Sequence, residues 1–105
     1  MVRRYLLVRI LSERGLSGDQ FNELLIQTVK KAFGEIGFVR VNPKLIHFDA
    51  EKAEAIVACE RGRVMDLEAA LALATDHLGV TIALITTRVS GTIKSLRKRR
   101  AGPQK

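Results

Sequence analysis

A chain of 105 residues and 11.7 kDa is one domain's worth of polypeptide, which excludes a two-domain enzyme and suffices for a core without metal or disulfide staples. Its hydrophobic content of 47% against 28% charged excludes disorder, and the lone Cys59 excludes an intrachain bridge and points to a reducing, cytoplasmic setting. The net charge is +7, yet acids and bases cancel over residues 1–87, so the excess falls on Arg88, Lys94, Arg97, Lys98, Arg99, Arg100 and Lys105. A neutral body with a cationic tail predicts a polyanionic partner.

The opening residues read as a strand over 4–11 rather than a signal sequence, because Arg9 interrupts the apolar run. Leu6, Val8 and Ile10 share one face, and Tyr5, Leu7 and Leu11 the other. Nowhere do about eighteen apolar residues run together, so no bilayer-spanning helix is expected. Ser17-Gly-Asp-Gln20 has the S-x-x-Q spacing of a capping box. Phe21, Leu24, Leu25, Val29, Ala32, Phe33 and Ile36 then recur on one side of a helix that Gly37 is expected to stop. Phe38 to Val41 and Leu45 to Phe48 read as extended, and Pro43 between them places this strand at a sheet edge. A turn at 49–52 and a strand at 54–60 complete a hairpin.

From Arg63, apolar residues at three and four spacing predict a second helix running to Gly79. Val80 to Arg88 alternates as a last strand. The order β-α-β-β-α-β predicts an α+β sandwich of the ferredoxin-like, or RRM-like, kind: a four-stranded antiparallel sheet with two helices on one face, followed by a basic C-terminal helix. The predicted division is 1–89 for the sandwich and 90–105 for the helix or tail.

Helices cover one side of such a sheet, yet Tyr5, Leu7, Leu11, Ile56 and Ala58 make the other side apolar as well. A protein partner is expected there, since a contiguous apolar patch left in water is uncommon in a monomer. Catalytic constellations are poor. His47, His77 and Cys59 match no zinc or triad spacing, the carboxylates are scattered singly, and no glycine-rich phosphate cradle occurs. No catalytic residue, metal ligand or bound cofactor is therefore expected; His47 reads as a strand surface residue and Cys59 as a small buried hydrophobe.

The third strand lacks the aromatics on which an RNA-recognition motif stacks bases, so any grip on RNA goes through phosphates. Arg61-Gly62-Arg63, at the start of the second helix, is one weak candidate. The stretch from Ser90 to Arg100 is the stronger one, with Ser90 or Thr92 as caps and only Ile93 and Leu96 to pack. Four consecutive cations repel one another, so this tail is expected to order on RNA. If about five bases meet phosphate, log affinity falls against log salt with a slope near −4.

The residues Arg4-Tyr-Leu, Phe33-Gly-Glu-Ile-Gly37, Lys44-Leu-Ile-His-Phe-Asp49 and, above all, Val89-Ser-Gly-Thr-Ile-Lys-Ser-Leu-Arg-Lys98 resemble the archaeal ribonuclease P protein component 2 family over nearly the whole chain. That resemblance implies a non-catalytic subunit of the ribonucleoprotein that removes the 5′ leader from precursor tRNA, with Mg²⁺-dependent chemistry performed by the RNA. Implied partners are the ribonuclease P RNA, component 3, the other protein subunits and, indirectly, precursor tRNA, with self-association in a heterotetramer and no membrane contact. The implied RNA-binding residues are Lys94, Arg97, Lys98, Arg99 and Arg100, then Arg3, Arg4 and Arg88. Two other classes compete. A small-molecule regulatory dimer shares the topology but has no use for the basic run, and a stand-alone nuclease would need paired carboxylates or histidines.

Overall fold

The computed structural model describes residues 3–77 and 79–96. β1 (Arg3–Ser12) leads through a short loop to α1 (Gly18–Val41), followed by β2 (Lys44–Asp49) and β3 (Glu54–Glu60). A 3₁₀ turn at Arg61–Arg63 opens α2 (Val64–Ala72), and β4 (Asp76–His77) and β5 (Val80–Ser90) follow. The sheet is antiparallel with the order β2-β3-β1-β5-β4. Five strands form it, where the hydropathy pattern predicts four. The extra strand, β4, is the end of the segment read as helix up to Gly79. α2 stops at Ala72, the Thr75 carbonyl accepts from the Ile82 amide (3.0 Å), and Gly79 at φ 80° turns the chain back.

Ser17 and Gln20 cap α1 reciprocally, as their spacing predicts: the Gln20 amide donates to Ser17 Oγ (3.1 Å) and the Ser17 amide to Gln20 Oε1 (2.9 Å). Gly37 does not stop this helix. The backbone breaks at Gly34 (φ 76°, ψ −177°), resumes helical geometry and ends at Asn42, left-handed at φ 50°, whose amide donates to the Phe38 carbonyl (2.8 Å). The expected extended segment Phe38 to Val41 is therefore helical. Val41 is buried and Phe38 packs on the core, so tertiary burial outweighs the weak helix propensity of glycine. Gly37 serves close approach instead, because the Phe33 side chain lies where a Cβ would sit.

The core lies between the sheet and the helices. Leu6, Val8 and Ile10 of β1 and Ala55, Val57 and Cys59 of β3 meet Phe21, Leu25 and Val29 of α1 and Leu67, Ala70 and Leu71 of α2. On the other side of the sheet is a second, smaller cluster: Leu7 and Ile56 beneath Leu96, with Tyr5 and Ile93 at its margin. Residues 93–96 are helical, capped by Thr92 Oγ1, which accepts from the Ser95 amide (3.1 Å). The start of the C-terminal helix is thus folded onto the sheet. Among the described residues no helix is long and apolar enough to cross a membrane.

Candidate nucleic-acid interface

Antiparallel pairing decides which charges meet. β1 starts where β3 and β5 end, Arg3 opposite Glu60 and Tyr5 opposite Ser90. β2 starts at that same end, with Lys44 opposite Ala58. The C-terminus of α1, the 3₁₀ turn and the beginning of the C-terminal helix therefore all gather at one end of the sheet.

Four of the sequence-predicted RNA contacts lie there: Arg3, Arg4, Arg88 and Lys94. Arg4 lies against Gly91, where a Cβ would sit 3.1 Å from Nη1. The start of β1 and the end of β5 thus share one basic locus. Arg88 reaches it through a bulge. Strict alternation from Ile82 and Leu84 would turn Arg88 toward the helices, but the register shifts between Leu7 and Val8, leaving Thr87 as the extra residue. Its Oγ1 donates to the Leu7 carbonyl (3.1 Å), and Arg88 pairs with Leu7, on the face that carries Leu96. Arg97, Lys98, Arg99 and Arg100 lie outside the described residues.

Arg40, Lys44, Arg61 and Arg63 occupy the same end; of these, the sequence singles out only Arg61 and Arg63, as a weak candidate for phosphate. Their signal is the pairing register, not any local motif. Asn42 ties the segments together: its carbonyl accepts from Arg3 Nη2 (3.4 Å) and its side-chain amide donates to Glu60 Oε2 (3.4 Å). Arg63 is partly neutralised by Asp66 at 3.4 Å. Glu60, Asp66 and Glu68 are acids of this end, Glu68 near enough to act on the Cys59 thiol, whereas the opposite end carries Glu13, Asp19, Asp49, Glu51, Glu54 and Asp76 against Arg9, Arg14 and Lys52. A body neutral by composition is folded into a basic end and an acidic end.

The residues expected to face a protein partner separate. Leu7 and Ile56 are covered by the chain's own Leu96, which is 1% exposed, and Ala58 is also buried. The middle of that face therefore needs no partner to exclude water. Tyr5 is half-buried, and Leu11 remains exposed, with Ile85 exposed beside it on the same face. More fully exposed apolar side chains sit on the helix side: Ile36 and Val39 on α1, Met65 on α2 and Leu73 at its C-cap.

His47 is an exposed residue of β2. Cys59 is fully buried, and desolvation pushes its thiol up to about 11 despite the opposing field of Arg3. Such a thiol is a poor nucleophile. Among the described residues no three His, Cys, Asp or Glu side chains converge to hold a metal ion. The arrangement can present fixed cations to phosphate and exclude water beneath the C-terminal helix.

Residues 4–101 match the Rpp14/Pop5 family. The chain is 35% identical over 96 residues to a protein of Pyrococcus abyssi named Ribonuclease P protein component 2, covering 91% of this chain and 81% of that one. It is 33% identical over 109 residues to the protein of that name from Methanothermobacter thermautotrophicus, covering 98% and 88%. A chain in a cryo-EM structure of yeast ribonuclease MRP superposes with a TM-score of 0.71 at 14% identity, over 94% of this chain and 91% of that one, a likeness of fold.

Proposed function

The chain belongs to the Rpp14/Pop5 family, and we propose from this premise that it is a protein subunit of ribonuclease P, acting in tRNA processing by binding and supporting the RNA that removes the 5′ leader from precursor tRNA. The observation that carries this reading is the family match across nearly the whole chain. The gathering of basic side chains at one end of the sheet supports it physically. Lys94, Arg97, Lys98, Arg99 and Arg100, with Arg3, Arg4 and Arg88, meet phosphate oxygens; such contacts position RNA without reading its sequence. Their charge screens the RNA's self-repulsion, so the folded RNA holds its shape at lower Mg²⁺. The bond-breaking chemistry and its Mg²⁺ belong to the RNA.

Component 3 and the other protein subunits are the expected protein partners, with self-association in a heterotetramer and the cytoplasm as the compartment. The exposed Leu11 and Ile85 are the part of the expected partner face still open to them. The family match and the named relatives favour this subunit over a small-molecule regulatory dimer.

The test is reconstitution of the RNA with component 3, with and without this chain, scoring leader removal. Addition of the chain raises cleavage, and Arg97→Ala with Lys98→Ala raises the Mg²⁺ needed for half-maximal cleavage. An unchanged Mg²⁺ titration would remove the tail's role, and cleavage indifferent to the whole chain would overturn the reading.

A further inference from the structure

We propose that the surface around Asn42 is a second phosphate-contact site for RNA, separate from the tail, with Arg40, Lys44 and Arg61 as its contacting side chains. The proposal rests on the reading of the chain as an RNA-bound subunit and adds to it a surface and an orientation.

These three cations are far apart in sequence and lie in unrelated elements. What brings them together is visible only in the fold. α1 continues past its break at Gly34 as far as Val41, which carries Arg40 to the basic end. Asn42 then turns left-handed, bonded to Arg3 on one side and Glu60 on the other, so the start of β2 with Lys44 and the residue after Glu60, Arg61, are held beside it. All three side chains are exposed, and among the described residues none has an ion-pair partner. Like charges held together by a rigid backbone repel, and a polyanion that releases its counterions on binding removes that repulsion.

The chemistry around Asn42 selects phosphate over an apolar partner, because Val41 and Pro43 are buried and the exposed side chains that alternate with them, Arg40 and Lys44, are cations, with Val39 the exposed apolar neighbour before them. The C-terminal helix starts on the opposite face of the sheet from α1 and α2, over Leu7 and Ile56. RNA gripped by the tail alone leaves Arg40, Lys44 and Arg61 unused, whereas RNA seated across the basic end meets both sets. The acidic end, with Asp19, Asp49 and Glu51, repels phosphate and so directs the approach.

Two triple variants of the full chain, equal in charge removed, separate place from net charge: Arg40→Gln with Lys44→Gln and Arg61→Gln, and Arg14→Gln with Lys31→Gln and Lys52→Gln. Each is titrated with ribonuclease P RNA over a series of salt concentrations. The first triple makes the slope of log affinity against log salt shallower by about 2 to 3, the loss of three phosphate contacts; the second leaves it at the wild-type value. Equal losses in both triples, or an unchanged slope in the first, overturn the proposal. Thermal melting without RNA controls for folding, and if the first triple melts early, Lys44→Glu at its exposed edge position repeats the test alone, with an unchanged slope again overturning the site. A wild-type chain that shows no salt-dependent binding to this RNA would instead sink the underlying RNA reading. A steep wild-type slope with an indifferent first triple sinks only this site.

Discussion

Cys59 illustrates how one side chain can be placed from pattern alone, since its position among Ala55, Val57 and Ala58 already marks it as a small core residue. Its protonation follows from that burial. The ordinary thiol value of 9.0 is raised to about 11 in the folded chain, so the native state holds a proton that the unfolded chain releases. The contribution is full below pH 9 and stability is lost as pH rises from about 9 toward 11, by roughly 3 kcal/mol at most. Urea denaturation of wild type and Cys59→Ala across that range tests this: the stability gap between them narrows as pH rises, and a constant gap would contradict the shift. Arg88 is the opposite case, because strict alternation turns it toward the helices and only the unpaired Thr87 reverses it.

Local pattern located most elements and misjudged their ends. The capping box of α1, the hairpin of β2 and β3, and the edge position of β2 were all legible, because caps, turns and proline act within a few residues. The spacing points to Gly37 as the stop, whereas the break is at Gly34, in a region of backbone space that is essentially closed to other residues. A sign test follows. In an uninterrupted helix, Gly34→Ala stabilises by about 1 kcal/mol; at φ 76° and ψ −177° it destabilises by about 1 to 3 kcal/mol. Chemical denaturation reads the sign directly. β4 was missed for a related reason, since two residues are too few for alternation and its partners Val80 and Thr81 follow the turn.

Over the entire molecule, the C-terminal segment has two parts with different work. Leu96 and Ile93 cover Leu7 and Ile56, whereas Arg97, Lys98, Arg99 and Arg100 follow Leu96 in sequence, beyond the described residues. Removing residues 97–105 is expected to leave the melting midpoint near that of the full chain while weakening RNA binding. Removal from Thr92 onward also strips the cover from the sheet and costs roughly 3 kcal/mol for about 120 Å² of apolar surface returned to water. Equal stability of the two truncated chains would show that the Leu96 contact contributes nothing.

The residue order alone carried the α+β class, the core side of β1 and β3, and the excess charge at the C-terminus. Each of these depends on composition or on spacings of two to four residues, which neighbours along the chain express without help. The fold had to supply the basic and acidic ends, the meeting of Arg4 with Gly91, and the covering of Leu7 and Ile56 by Leu96. Those depend on strand register and on where a helix breaks. Both are settled by contacts between residues tens of positions apart, whose energy exists only once the chain has closed on itself.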